Sequence, residues 1–289
     1  MKTHSTLSLV CKGSLLLLDR PRIMGIINLT EDSFYAASRV RDNQQAIVDR
    51  AGMILDAGAD LLDLGACSTR PGASPVDPAL ETERIVASVV GILDHFPKAL
   101  ISIDTYRADV AKAGIMAGAS MINDIAGGTL DPAMHPTVLE LQVPYILGHL
   151  RGNPATMQSL TDYKDVTAEV FESLLSTAIQ LQNQGAKDIV LDPCFGFAKT
   201  REQNFEILAN LRHLTRFGFP VMAGISRKSM VYKTLNINPE EALNGSSVLH
   251  TIALTQGATL LRVHDVMEAV QCVRLWQEMP SLHPVDPLR

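Results

Sequence analysis

The sequence predicts an α/β protein, a (β/α)₈ TIM barrel with an N-terminal β-hairpin. Three observations predict it. Eight short apolar runs alternate with helical segments over roughly 250 residues with no linker. The same Gly-Ala dipeptide stands between helix and run at Gly58-Ala59, Gly118-Ala119, Gly185-Ala186 and Gly257-Ala258. Each of the eight runs is followed closely by polar or charged residues.

In chain order the runs are residues 23–27, 61–64, 100–103, 121–122, 145–147, 189–191, 221–223 and 260–261. Glycine just past a helix adopts the left-handed cap at little cost, and the chain then turns into a strand. Pro144 and Pro220 punctuate two further entries. Helical segments lie between the runs, for example at 45–55, 80–96, 166–182, 203–214 and 266–277. An open doubly wound sheet would need a switch in strand order and usually has fewer strands. Residues 7–18 turn at Lys12-Gly13 and read as a hairpin. The expected organisation is one domain over 1–289, with residues 1–20 as a hairpin capping the barrel bottom.

Composition narrows the function classes. Of the 289 residues, 46% are hydrophobic and only 5% aromatic, so the core is aliphatic, as suits buried parallel strands. The net charge of −6 gives no general attraction for nucleic acid. Cys11, Cys67, Cys194 and Cys272 are scattered, which points to reduced thiols in a cytoplasmic protein rather than a disulfide frame or zinc site. The early apolar run 15–18 is too short for a signal peptide core or a membrane span. The Gly-rich phosphate loop, the dinucleotide fingerprint, the zinc-protease helix and the serine nucleophile elbow are missing from the sequence.

Barrel enzymes place their chemistry at the C-terminal strand ends. Here those ends carry Asn28; Asp63 and Ser68-Thr69-Arg70; Asp104; Asn123-Asp124; His149; Asp192; Ser226-Arg227-Lys228; and Arg262-Val263-His264. Strand ends meet water and are polar anyway, but that accounts poorly for all eight. Asp104, Asn123, Asp192 and Lys228 form a planar donor–acceptor set suited to a flat, nitrogen-rich heterocycle. Arg70, Lys228, Arg262 and His264 form a cationic set suited to phosphate or diphosphate. The competing reading of these cations is a ring of salt bridges to the aspartates, and the sequence disfavours it for Arg262 and His264. The tract from Asn28 to Phe34 offers an amide and hydroxyls, hard ligands that suit Mg²⁺ beside a diphosphate.

At these residues, from Pro21 to Gln277, the sequence resembles the dihydropteroate synthase family of pterin-binding TIM barrels. The matching blocks are Ile23-Met24-Gly25-Ile26-Ile27-Asn28-Leu29-Thr30-Glu31-Asp32-Ser33-Phe34, Asp63-Leu64-Gly65, Ser68-Thr69-Arg70-Pro71-Gly72 and Ser102-Ile103-Asp104-Thr105. They continue with Ile122-Asn123-Asp124-Ile125, His149-Leu150-Arg151-Gly152, Asp192-Pro193, Gly196-Phe197, Lys199-Thr200, Ser226-Arg227-Lys228-Ser229 and Arg262-Val263-His264-Asp265.

The resemblance implies a folate-synthesis transferase that joins 6-hydroxymethyl-7,8-dihydropterin diphosphate to 4-aminobenzoate, the substrate that sulfonamides mimic. It implies a homodimer with small-molecule substrates and neither nucleic acid nor membrane as partner. Asp104, Asn123, Asp192 and Lys228 then hold the pterin edge beside Ile125, and Arg262 covers one face. Asn28, Arg262 and His264 receive the diphosphate, with Mg²⁺ as cofactor on Asn28. The catalytic group is thus Asn28, Arg262, His264, Lys228 and Asp104. Thr69, Arg70 and Pro71, with Phe34, belong to two loops that close over the site. Phe197, Lys228 and Ser229 frame the aminobenzoate.

Some residues depart from the family pattern: Ala36 for Asp, Gly148 for Met, Cys194 and Ala198 for Gly, and Cys67 for Glu. Cys67 and Cys194 read as small apolar filling, and a sharper reading lets Cys194 fill space left at Gly148. Two alternatives share the pterin set: a pterin-binding methyltransferase, which has no use for a diphosphate pocket, and a non-catalytic pterin-binding paralogue.

Overall fold

The apolar runs all become strands, and the alternation within each decides what it shows to the barrel interior. The computed structural model describes residues 7–29, 40–67 and 76–279. A hairpin of β1 (Ser8–Cys11) and β2 (Ser14–Leu17) comes first. The barrel follows as β3 (Arg22–Asn28), α1 (Val40–Asp56), β4 (Leu61–Gly65), α2 (Pro78–His95), β5 (Ile101–Asp104), α3 (Ala108–Met116), β6 (Met121–Asp124), α4 (Met134–Leu141) and β7 (Tyr145–Gly148). It is completed by α5 (Val166–Asn183), β8 (Ile189–Asp192), α6 (Arg201–Thr215), β9 (Met222–Ala223), α7 (Ser229–Leu235), α8 (Leu243–Thr255), β10 (Leu260–Val263) and α9 (Val266–Gln277).

The eight barrel strands are parallel neighbours in the order β8-β7-β6-β5-β4-β3-β10-β9. The seam between β8 and β9 is narrow. It consists of a single parallel bridge, Leu191 to Val221, with the Leu191 N–H donating to Pro220 O at 2.9 Å. Pro220 has no N–H to give the ladder, which keeps β9 short. The four Gly-Ala turns carry the expected left-handed glycines, with φ of +100°, +113°, +106° and +97° at Gly58, Gly118, Gly185 and Gly257.

Side chains alternate across each strand. Ile23, Ile27, Leu62, Leu64, Ile101, Ile103, Ile122, Tyr145, Leu147, Ile189 and Leu191 face outward and pack with the helices in the main core. The first inward residues are Met24, Leu61, Met121, Ile146, Val190, Met222 and Leu260, which form a separate apolar cluster with Leu9, Cys11 and Leu18. The hairpin therefore seals the N-terminal mouth of the barrel with aliphatic side chains. Its edge is pinned where the Val10 N–H donates to Asp188 Oδ2 at 2.9 Å. Below it, Asp60 collects Arg20 at 2.6 Å, Arg22 at 3.0 Å and the Ile23 N–H at 2.9 Å.

Leu9 is 1% exposed and sits in that seal. Leu9→Ala should cost about 2–5 kcal/mol of stability in urea unfolding, with the far mouth of the barrel unaltered. In α8, His250 is buried, and its Nε2 has no hydrogen-bond partner among the described residues. Burial pushes its pKa from 6.5 down to about 4. The unfolded chain then binds a proton that the folded chain refuses, so this histidine removes stability as pH falls below 6.5. Relative to the wild type, His250→Leu should gain about 1.4 kcal/mol per pH unit between roughly pH 6.5 and 4.5 in unfolding free energy. A pH-independent difference would contradict the neutral, buried imidazole.

Candidate active site

Beyond the apolar seal, the inward positions turn polar. Asp63 on β4, Asp104 on β5, Asn123 on β6 and Asp192 on β8 share the inward side with Arg262 on β10. Asp104 and Asp192 are the last residues of their strands, Asp63 and Arg262 lie within theirs, and strand parity aims all four into the barrel. Asp124 has the opposite parity. It faces outward, accepting from the Tyr145 hydroxyl at 2.8 Å and from the Ala126 and Gly128 N–H groups.

Arg262 organises the interior. Its Nε donates to Asp63 Oδ2 at 2.5 Å and its Nη2 donates to Asp104. Asn123 Nδ2 donates to Asp63 at 3.1 Å. The salt-bridge reading that the sequence disfavoured thus holds for Arg262, which reaches across the end of β3 to both carboxylates. Burial opposes the charge of the guanidinium, and Asp63 and Asp104 outweigh it, so its pKa is raised. Burial pushes the Asp104 carboxyl up to about 7 against the pull of Arg262. Asp63, fully buried, stands among the polar strand ends in the sequence but belongs to neither the heterocycle set nor the cationic set read from it. The available signal was a charge in the middle of Leu61-Leu62-Asp63-Leu64, two residues on from an inward leucine.

The cationic rim is only partly gathered. His264 Nδ1 lies 3.1 Å from Ser226 Oγ, which also accepts from the His264 N–H. Arg227 points away: it makes a two-pronged pair with Asp265 at 2.8 Å and donates to the Pro239 and Glu240 carbonyls. That anchor sets Lys228 and Ser229 at the start of α7. The Lys228 ammonium donates to Phe195 O and lies 4.7 Å from the centre of the Phe197 ring. Burial lowers its pKa, with Asp192 and Cys194 pulling the other way. Asp192 Oδ1 accepts from the Cys194 N–H at 2.8 Å. Ile125, with Phe197 packed alongside, lines a small apolar cluster with Ala126, Leu150, Met157, Cys194 and Ala198. Asn28 closes β3 at the same mouth.

Phe34, Ala36, Thr69, Arg70 and Pro71 lie outside the described residues, so the two expected loops are not placed. Cys67 is half-buried beside Tyr106, whose hydroxyl pKa is raised by burial and by Cys67. Cys194 is buried with Sγ 3.6 Å from Ile125 O, in keeping with a filling role. The idea that it fills space left at Gly148 is corrected. A Cβ on Gly148 would stand 2.6 Å from the Asp124 carbonyl oxygen and from the Ile125 Cα. Main chain, rather than a side chain, occupies that volume.

This fold and this mouth define a barrel protein built to hold a polar ligand among buried carboxylates, and a model of the pterin binding enzyme family matches residues 24–264. Among curated proteins, dihydropteroate synthase of Escherichia coli is 38% identical, over 93% of this chain and 95% of its own. That of a Synechocystis strain is 39% identical over 89% of each. Among solved structures, Xanthomonas albilineans dihydropteroate synthase with 4-aminobenzoic acid superposes with a TM-score of 0.87 at 36% identity, covering 95% of this chain and 98% of its own. The Yersinia pestis enzyme in a sulfonamide drug complex superposes equally well, with a TM-score of 0.87 at 35% identity over 95% and 99%. The chain belongs to the dihydropteroate synthase family.

Removing one partner of a buried ion cluster strands the others. Asp63→Ala should cost about 3–5 kcal/mol in chemical unfolding, and adding Arg262→Met should cost less than the sum of the single changes. Additive losses would show that Asp63 and Arg262 do not support one another.

Proposed function

We propose that this chain condenses 6-hydroxymethyl-7,8-dihydropterin diphosphate with 4-aminobenzoate, giving 7,8-dihydropteroate and pyrophosphate. The observation that carries the reading is the inward set Asp104, Asn123, Asp192 and Lys228 at one mouth, in a chain that matches enzymes named for this reaction over nearly its full length. A pterin edge alternates N–H donors with ring acceptors. Carboxylates, an amide and an ammonium complement it, and burial strengthens each bond.

The reaction breaks the bond between the exocyclic methylene carbon and the diphosphate oxygen, and the electron pair leaves with the diphosphate. Positive charge spreads into the dihydropterin, where the Asp104 and Asp192 carboxylates favour it. Arg262 and His264 receive the negative charge of the leaving group. The aniline nitrogen of 4-aminobenzoate, oriented by Phe197, Lys228 and Ser229, attacks the methylene and then loses a proton. Position matters more here than base strength.

Asn28 presents an amide oxygen, a hard ligand, at the same mouth, and the described residues contain no group of three His, Cys, Asp or Glu able to cage a metal. That donor set fits Mg²⁺, which keeps most of its shell in water and phosphate oxygens. When bound, the ion would neutralise charge on the diphosphate. The reading extends to a cytoplasmic homodimer with small-molecule substrates alone. The net charge of −6 gives no general attraction for nucleic acid, and none of the described helices is long and apolar enough to cross a membrane.

The test is pyrophosphate release. It should require both the pterin diphosphate and 4-aminobenzoate. Asp192→Asn, which swaps an acceptor for a donor, should fold normally and weaken pterin binding by about 1–3 kcal/mol in calorimetry. Failure of the purified wild type to release pyrophosphate with both substrates would overturn the reading.

A further inference from the structure

The loop between β8 and α6 feeds two contacts into the site, the Phe195 carbonyl and the Phe197 ring, and both grip the Lys228 ammonium. Its backbone is left-handed at Cys194 (φ +52°), Gly196 (φ +86°) and Ala198 (φ +50°). Two of these three residues carry a Cβ, for which that conformation is unfavourable. Such a path persists only where its surroundings hold it.

One side of the loop is held by Asn204, 2% exposed, whose Oδ1 accepts from the Gly196 N–H at 2.6 Å and whose Nδ2 donates to Thr200 O at 2.6 Å. The other side is held by Lys199, 4% exposed. Its Nζ donates to Phe197 O at 2.9 Å, and the carbonyls of Cys194 and His149 lie at 3.4 and 3.5 Å. His149 Nδ1 lies 3.2 Å away. The described residues offer Lys199 no carboxylate ion pair; main-chain oxygens of two loops solvate it instead. Burial lowers its pKa to about 8, with Cys194 and Asp192 opposing, and His149 is held neutral, its pKa pushed by burial to about 3. A buried charge without a counter-ion is costly, and stability alone gives no reason to keep it.

We propose that Lys199 is a positioning residue for the reaction: by bonding the loop carbonyls from inside, it fixes the left-handed path of residues 193–199 and thereby sets where Lys228 meets the aminobenzoate. The inference rests on the proposed function for its kinetic consequence, and on the loop geometry alone for its structural one.

The test uses Lys199→Met, Lys199→Arg, and Lys199→Met combined with Cys194→Gly and Ala198→Gly, each as the full chain. Two readings are taken: steady-state kinetics in both substrates, and amide hydrogen exchange over residues 193–200 without substrate. Lys199→Met should raise the KM for 4-aminobenzoate at least tenfold. The KM for the pterin diphosphate should rise less, because Asp104, Asn123 and Asp192 also hold that edge. Exchange in the loop should quicken at least tenfold, with the strands unchanged. Lys199→Arg should restore part of the KM. The two glycines, which adopt positive φ freely, should recover at least threefold of it.

A purely structural role would lower kcat through loss of folded protein and leave KM alone; that outcome, or unchanged loop exchange in a folded Lys199→Met, or no recovery with the glycines, would overturn the proposal. If Lys199→Met does not fold, Lys199→Gln, which keeps an N–H donor, is read in the same two ways. Wild-type turnover reports on the proposed function separately, and if it is absent the exchange measurement still decides whether the loop depends on Lys199.

Discussion

The ion cluster of Arg262 with Asp63 and Asp104 is the constraint on which the rest of the site depends. A guanidinium on β10 reaches two carboxylates on β4 and β5, and an amide on β6 completes the circuit through Asp63. Four of the eight strands are thereby tied together at this mouth, around an Asp63 carboxylate that is fully buried. Buried ion pairs of this kind seldom repay their desolvation against an apolar alternative. Their presence is better explained by chemistry: a fixed array of charge facing the mouth needs no rearrangement when charge develops on a bound substrate.

The barrel divides this work along its axis. At the N-terminal mouth the inward side chains are aliphatic, and the hairpin adds Leu9, Cys11 and Leu18 to them. At the C-terminal mouth the same strands, two residues further on, present Asp63, Asn123, Asp192 and Arg262. Stability comes largely from the first layer and the helix-facing core, so the second layer can carry residues that the core would reject. The expected hairpin and parallel barrel are both present, and the seam at β8 and β9 shows how little pairing the last closure requires.

The residues that depart from the family pattern acquire physical meaning only in the fold. Cys194 and Ala198 stand at positive φ, so their side chains cost backbone strain while filling the cluster around Ile125. Gly148 is needed because the main chain of Asp124 and Ile125 approaches it too closely for any Cβ. Cys67 lies beside Tyr106 at the edge of the described residues.

Much of this was legible in the sequence alone. The eight runs, the Gly-Ala turns, the hairpin and the polar strand ends are local signals, set by alternation and backbone preference, and they put the polar residues at the C-terminal strand ends, where the structure has them. Tertiary structure decided which charges meet. The end of β6 illustrates the limit: Asn123 and Asp124 are adjacent in sequence, yet strand parity sends one to Asp63 inside the barrel and the other to Tyr145 outside it. The pairing of Arg262 with Asp63 joins residues 199 positions apart, and the clasp of Lys199 depends on carbonyls from two loops. Distances of that kind are fixed by closure of the barrel, and a one-dimensional pattern does not contain them.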